Sequence, residues 1–140
     1  MRSFEASSFI DAPPNVVWAA LTDVSAWPDW DSGVTKVAGE LAHGKKLSIT
    51  VEANPGRAFR VKVTELTAPQ RMVFRGGMPL GLFTGLRTYT LAPEGTGTRF
   101  TMREVYTGLL AGLIFKSIPD LGPSFRQFAE GLTTAGSSSL

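Results

Sequence analysis

The sequence predicts an α+β fold in which a seven-stranded curved antiparallel sheet wraps around a long carboxy-terminal helix, with two short helices after the first strand. Three observations predict this fold. From Val34 onward, apolar and polar side chains alternate with a period of two, which is typical of strands with one buried face. Residues 109–132 instead repeat apolar side chains with the helical period. Two prolines, Pro13 and Pro14, separate the first strand from short helical segments.

The amino-terminal segment accounts for the first strand and both short helices. Residues 4–11 alternate in character, which places one face of this strand inward. Pro13 and Pro14 end the strand, and because proline is favoured in the first turn of a helix, residues 14–21 are expected to be helical. The side chains expected to be buried there are Val17, Trp18 and Leu21. A second helical turn follows over residues 25–30.

Six further strands are expected after residue 34, each with one apolar face. Turn-forming residues separate them because glycine, proline and asparagine interrupt regular strand pairing. The expected turns lie at residues 42–44, 54–56, 68–70, 76–85 and 94–97. An antiparallel meander that is solvated on one side leaves its other side for the helix to cover.

The carboxy-terminal segment is expected to be one helix with a kink. Its apolar stripe consists of Leu110, Ile114, Ile118, Leu121, Phe125, Phe128 and Leu132. Pro119 and Pro123 each remove a backbone donor, but the apolar period continues through both, which favours one bent element over two unrelated helices. At about 1.5 Å per residue, the element would extend roughly 35 Å. The segment between the two prolines is also a candidate hinge.

Composition indicates one domain over residues 1–135, followed by a frayed tail at residues 136–140. The chain has 140 residues, 43% of them hydrophobic and 19% charged, which is enough apolar material for a core. The formal charge of +2 is small and the basic residues are scattered along the sequence. We therefore expect no nucleic-acid partner.

The sequence also favours a cytoplasmic protein without integral membrane contact. It contains no cysteine, so disulfides are excluded, and its first residues do not lead into a hydrophobic signal region. Its longest apolar run, residues 108–115, is far shorter than the roughly 20 residues that span a bilayer.

Metal and cofactor sites are not expected. The only histidine, His43, lies in a predicted turn, which argues against a histidine-based triad or metal centre. Asp29 and Asp31 lack the additional oxygen ligands that calcium needs. Gly76-Gly77 and Gly95-Thr96-Gly97 do not stand between a strand and a helix, so they are interpreted as turns rather than phosphate-binding loops.

The most informative residues are polar side chains on faces that are expected to be buried. If Leu91 points inward, alternation also directs Tyr89 and Arg87 inward on one strand. If Phe100 points inward, the next strand directs Met102, Glu104 and Tyr106 inward as well. Folding the hairpin about residues 94–97 places Arg87 close to Glu104, and such a pair would explain how both charges are tolerated. The alternative is that the pair lies at a wet rim, or that a bulge turns one side chain outward.

Several motifs resemble a known superfamily over nearly the whole chain. They are the segments Ile10-Asp11-Ala12-Pro13-Pro14 with Val17-Trp18, Trp27-Pro28-Asp29-Trp30, and Tyr89-Thr90-Leu91 with Gly97-Thr98-Arg99-Phe100. The chain resembles the helix-grip fold of the START and birch-pollen-allergen (SRPBCC) superfamily, in its branch for polyketide cyclase/dehydrase and lipid transport. The resemblance implies a deep cavity between sheet and helix that suits a hydrophobic ligand. It does not fix the chemistry, because the superfamily includes carriers, receptors, cyclases and oxygenase domains.

The candidate site consists of aromatic, methionine and inward polar residues. An enclosed apolar cavity is expected to be lined by Phe74, Tyr89, Met102, Tyr106 and Phe115. Trp27 and Trp30 are expected beside its mouth, and an apolar, glycine-flanked loop that contains Met78 and Phe83 is expected nearby. Arg87 and Glu104 would orient the polar end of the ligand. The alternative is that aromatic side chains such as Phe74 only fill the core.

Three functions follow from this pattern. The first is binding or transport of a small hydrophobic or amphipathic molecule, lipid-like or aromatic. The second is a polyketide cyclase or dehydratase in which Arg87 stabilises a developing enolate while Tyr106 or Glu104 moves protons. The third is an interaction or stress-response module with a filled core. The residues leave open whether any reaction is catalysed.

Overall fold

The structure is a computed structural model that describes residues 2–117 and 120–137. Its seven strands form a single curled antiparallel sheet in the order β1-β7-β6-β5-β4-β3-β2. The strands are β1 (Arg2–Ile10), β2 (Val34–Gly39), β3 (Lys46–Val51), β4 (Asn54–Thr67), β5 (Arg71–Met78), β6 (Phe83–Glu94) and β7 (Gly97–Thr107). Strands β2 to β7 form a meander, and β1 closes the sheet against β7. The predicted fold class is therefore confirmed.

Helices occupy the inner side of the sheet and its ends. They are α1 (Pro14–Thr22), a first 3₁₀ helix (Val24–Asp29), a second 3₁₀ helix (Pro79–Gly81), α2 (Ala111–Ser117) and α3 (Gly122–Ser137). Pro14 stands in the first turn of α1, where its missing N–H removes no hydrogen bond. The two helices expected after β1 are thus present.

The predicted single bent helix is wrong, because the carboxy-terminal segment forms two helices. Asp120 and Leu121 are not helical, and the Asp120 side chain accepts a hydrogen bond from the backbone N–H of Gly122 at 2.9 Å. Pro123 therefore lies in the first turn of α3, where proline is tolerated, rather than in a helix interior. Ile118 and Pro119, and with them part of the expected hinge, lie outside the described residues.

Helix α3 contributes more buried side chains to the core than any other single helix. Its buried side chains Phe125, Phe128 and Leu132 continue the predicted apolar stripe. The helix extends to Ser137, two residues further than the expected end of the domain. Gly136 is buried, and the packing there is close, since a Cβ at this position would lie 3.2 Å from Cγ2 of Ile10. Close packing against β1 thus holds this end of the helix.

Three local predictions need correction. The turn expected at residues 76–85 is confined to residues 79–82, because β5 continues to Met78 and β6 begins at Phe83. The turn expected at residues 54–56 lies at Glu52 and Ala53 instead, and β4 begins at Asn54. Proline is tolerated near the start of a strand, so Pro55 does not have to lie in the turn. Trp18, expected in the core, is only partly buried against it.

Candidate functional site

Arg87 and Glu104 face each other on the inner side of the sheet. They are direct partners in the β6–β7 register, which runs from Thr84 to Glu94 without a shift. Arg87 Nη2 donates to Glu104 Oε2 at 2.8 Å. The exposed fractions of the two side chains are 25% and 14%, so the pair is mostly but not completely removed from solvent. The predicted pairing of these residues is thus present in the structure, without the bulge considered as an alternative.

Tyr106 joins the pair through its hydroxyl group. The hydroxyl donates to the same carboxylate oxygen, Glu104 Oε2, at 2.8 Å. Gly85 makes room for this arrangement, because a Cβ there would lie 3.2 Å from Glu104 Oε1 and 3.4 Å from the Tyr106 ring. One carboxylate therefore accepts hydrogen bonds from both a cation and a phenol.

Helix α3 covers the guanidinium group of Arg87. The Cζ atom of Arg87 lies 4.8 Å from the centre of the Phe125 ring. A cation over an aromatic face is attracted by the ring quadrupole, and more strongly where water is excluded. Arg87 is thus held between the sheet and α3.

Tyr89, two residues after Arg87 on β6, lies in the core with an exposed fraction of 0%. Within the described residues, neither the Tyr89 hydroxyl nor Arg87 Nε has a hydrogen-bond partner. The two groups are close enough that Arg87 lowers the pKa of the Tyr89 hydroxyl through a hydrogen-bond contact as well as through its charge, but this contact lacks the geometry of a full hydrogen bond. The site therefore combines a satisfied ion pair with two buried donors that remain unpaired.

The protonation states follow from burial and from the neighbouring charges. Burial raises the pKa of the Tyr89 hydroxyl, and the positive charge of Arg87 offsets this only in part. Burial, and after it the negative charge of Glu104, raise the pKa of Tyr106. Burial alone would lower the pKa of Arg87, but the attraction of Glu104 and the further influence of Tyr89 leave it above the ordinary value. Both phenols are therefore neutral and Arg87 is charged at physiological pH.

Aromatic rings surround Tyr106 on the side of α2. The ring of Phe83 stacks on Tyr106 at 5.5 Å, and Phe115 of α2 lies 5.6 Å from it. Phe4 of β1 contacts both, at 6.1 Å from Tyr106 and 5.3 Å from Phe115. These three rings form an apolar group beside Tyr106, at one side of the polar cluster of Arg87, Tyr89, Glu104 and Tyr106.

Three other predicted site residues lie in the core. Trp27, expected beside an opening, is 1% exposed and donates its indole N–H to the Leu21 carbonyl at 3.0 Å. Phe74 lies 5.3 Å from Tyr89, and Met102 is the register partner of Tyr89. These residues pack directly behind the polar cluster.

The two remaining candidates lie at the margins of the core. Trp30 is partly buried, with its ring 5.1 Å from Phe128. Met78 is 44% exposed and lines a groove of about 400 Å³ together with Lys46, Arg60, Lys62 and Arg75. The basic residues are scattered in the sequence, but the sheet brings these four together.

Sequence reasoning missed three residues of the site as candidates. The sequence predicts Phe4 and Phe125 only on the inner faces of a strand and a helix. It predicts Gly85 in a turn. The register would have identified Phe4, because it is the β1 partner of Glu104. For Phe125 the useful signal was its place on the helical stripe, but the covering of Arg87 depends on where α3 lies.

No three His, Asp or Glu side chains come together in a possible metal site anywhere in the described ranges. None of the helices described has both the length and the apolar character needed to cross a bilayer.

Comparison with known families decides the classification. The sequence profile for polyketide cyclase/dehydrase and lipid transport matches residues 1–135. The chain belongs to this family. Among curated proteins, none matches the sequence. The family description covers both catalysis and transport, so it does not choose between them.

Solved structures support the fold at low sequence identity. TTHA0849 from Thermus thermophilus is 21% identical, with a TM-score of 0.73 and coverage of 99% of each chain. The Aha1 protein from Colwellia psychrerythraea, solved as a dimer, is 15% identical with a TM-score of 0.74, covering 99% of this chain and 98% of that one. The di-domain ARO/CYC StfQ of the steffimycin biosynthetic pathway is 13% identical with a TM-score of 0.66, covering 97% of this chain and 50% of StfQ. At these identities the likeness concerns the fold alone.

Proposed function

We propose that this protein binds or transports a small hydrophobic or amphipathic molecule between the inner face of the sheet and the carboxy-terminal helices. The observation that carries the proposal is that two buried groups, Arg87 Nε and the Tyr89 hydroxyl, lack a full hydrogen bond. They lie beside the ion pair of Arg87 with Glu104. The proposal places this binding in the cytoplasm, in keeping with the cysteine-free sequence.

A polar ligand group would complete this hydrogen-bonding network. A buried polar group without a partner is costly, and a partly satisfied network is less favourable than either a complete one or none. A carbonyl, carboxylate or phenolic oxygen can accept hydrogen bonds from both Arg87 and Tyr89. Such an oxygen is the polar end that we expect the ligand to carry.

The apolar part of the ligand is placed under α2. That helix has a single buried residue, Ala111, and Leu113 on it is 71% exposed. Phe4, Phe83 and Phe115 lie beside the polar cluster on the same side. Few buried contacts hold α2 on the sheet, so it is the element that a ligand can displace most easily.

The direct test is to identify what the folded protein carries. Native mass spectrometry and organic extraction of the purified protein should reveal a co-purifying hydrophobe with an oxygen acceptor. An environment-sensitive dye should bind to the folded protein, and the extracted ligand should displace the dye when it is added back. Tyr89→Phe should lower the affinity for that ligand while the protein remains folded. Thr90→Val, on the opposite face of β6, is the matched control. Absence of any ligand, with dye binding no stronger than to a globule without a cavity, would contradict the proposal and favour the filled-core interaction module.

A second candidate is a cyclase or dehydratase that uses the same site. It is favoured by the convergence of Arg87 and Tyr89, two donors that can stabilise the enolate of a poly-β-carbonyl substrate, with Glu104 nearby for proton transfer. Incubation with such a chain should then yield a cyclised or dehydrated product, and Arg87→Met should abolish it. If the substrate binds tightly but is not converted, only the carrier function is supported.

A further inference from the structure

Three cations form a row across the sheet on the face opposite the polar cluster. Lys46 is the register partner of Lys62, and Lys62 is the register partner of Arg75. All three are exposed, whereas the neighbouring residue on each strand, such as Val63 or Phe74, is buried. Like charges directly opposite each other are destabilising, so this row is unfavourable unless an anion binds there.

No acidic side chain of the described chain neutralises the row. The ion pairs among the described residues involve Arg71, Arg87, Arg99 and Arg103, while Lys46, Arg60, Lys62 and Arg75 have none within 4.0 Å. Four positive charges in one groove exceed the net charge of +2 of the whole chain. The groove therefore has a strongly positive local potential.

The same end of the molecule exposes large apolar side chains on two adjoining loops. Pro79 lines the groove, and the next residue along the chain, Leu80, is 94% exposed and has a φ of 62°. The next loop contains Leu109, which is 88% exposed. The two loops are joined, because the backbone N–H of Leu110 donates to the Leu82 carbonyl at 2.8 Å.

Helix α2 extends this apolar surface. It follows directly from the second loop, and Leu113 on it is 71% exposed. Several exposed large apolar side chains at one end of a molecule mark an interaction site, in contrast to single ones scattered over a surface.

We infer that this end of the protein docks peripherally on an anionic lipid bilayer. Leu80, Leu109 and Leu113 would enter the interfacial region, while the four groove cations contact the lipid phosphates. Charge complementarity favours this occupant, since four neighbouring cations without acidic partners match a surface that presents many phosphate groups. A bilayer also accepts protruding leucines without the complementary pockets that a protein partner would have to provide.

This inference goes beyond ligand binding and is independent of it. The docking leucines lie on α2 or on the loops next to it, so docking would bring α2, the element proposed to cover the ligand, to a membrane. The groove cations lie on the opposite face of the sheet from Arg87 and Glu104. Variants of the docking surface should therefore leave the polar cluster unchanged.

The test is flotation with vesicles of phosphatidylcholine, with and without phosphatidylglycerol. The wild-type protein should float with the anionic vesicles, remain behind with the neutral ones, and dissociate as salt is added. Lys62→Gln/Arg75→Gln should weaken binding about tenfold or more, since each cation near the surface contributes separately. Leu80→Ser/Leu109→Ser should weaken it similarly, and because these leucines are almost fully exposed, their loss should not affect folding.

Two control variants have matched chemistry. Lys36→Gln/Arg103→Gln removes the same amount of charge outside the groove, and Phe9→Ser removes an exposed apolar side chain on β1. Both should float like the wild type. Equal binding to neutral and anionic vesicles, no flotation, or an equal loss in the control variants would overturn the inference. A leucine variant that changes the oligomeric state but not flotation would also overturn it, assigning the patch to self-association. Dye binding at the proposed ligand site, measured in parallel, tests the ligand proposal separately.

Discussion

Arg87 Nη2 lies 2.8 Å from Glu104 Oε2 across directly paired positions of β6 and β7, under the ring of Phe125. The same two strands carry a second ion pair near their hairpin, between Arg99 and Glu94, also at 2.8 Å. The two pairs share the same shortest N–O distance but differ in their surroundings. The side chains of the second pair are 42% and 48% exposed, against 25% and 14% for the first.

Removing one charge of the inner pair should therefore cost much more stability than removing one of the outer pair. We expect Arg87→Met and Glu104→Gln each to lower the free energy of unfolding by about 2–3 kcal/mol, between the values for exposed and fully buried pairs. The double variant should lose less than the sum, because neither charge is left alone. Arg99→Met and Glu94→Gln should each cost less than about 1 kcal/mol. Denaturant unfolding measures all five, and small additive losses at the inner pair would place it in solvent.

The two tyrosines should respond oppositely to loss of the hydroxyl. Tyr106→Phe removes a hydrogen bond to a charged carboxylate and should cost about 1.5–3 kcal/mol. Tyr89→Phe removes a buried hydroxyl without a partner, so it should leave stability unchanged or raise it. Thermal unfolding without ligand distinguishes the two, and a Tyr89→Phe variant as unstable as Tyr106→Phe would show that this hydroxyl is bonded.

Alkaline pH should destabilise the protein through these same two residues. The pKa values of Tyr89 and Tyr106 are raised above the unfolded value of 10.0. A raised pKa in the folded state contributes stability that is fully present below pH 10.0 and is lost as the pH rises above it. Because the chain has only two tyrosines, phenolate absorbance reports on this site alone. We expect no phenolate in the folded protein at pH 10.0, and its appearance together with unfolding at higher pH. Half-ionised tyrosine in the folded protein at pH 10.0 would refute the burial argument.

Reversing one charge in the cationic row should stabilise the fold. Lys62→Glu converts two like-charge cross-strand pairs, with Lys46 and Arg75, into attractive ones, for a gain of about 0.2–1 kcal/mol each. Added salt should reduce the gain, because exposed charges are screened. Lys36→Glu, which makes the same change outside the row, is the control and should have little effect. An equal gain at both positions would mean that overall charge, rather than the row, is responsible.

The sequence determined the polar pair because its geometry is local. A tight hairpin whose paired ends are Glu94 and Gly97 fixes the register of two adjacent strands, and the two-residue period then fixes which side chains face inward. The same period identified the strands themselves, and the helical period identified the stripe that covers them. The carboxy-terminal break was harder to place, because the apolar period continues across the turn that starts α3, and periodicity does not show where the backbone leaves the helix.

Only the tertiary structure decided what lies around these elements. The cationic row needs three strands whose mutual register includes irregularities between Thr50 and Val51 and between Val63 and Glu65, and alternation does not indicate such shifts. The covering of Arg87 by Phe125, and the joining of the Leu80 and Leu109 loops, depend on contacts between segments far apart in the chain. Side-chain order along a strand follows from backbone geometry, whereas the position of one element on another is set by the packing of all of them together.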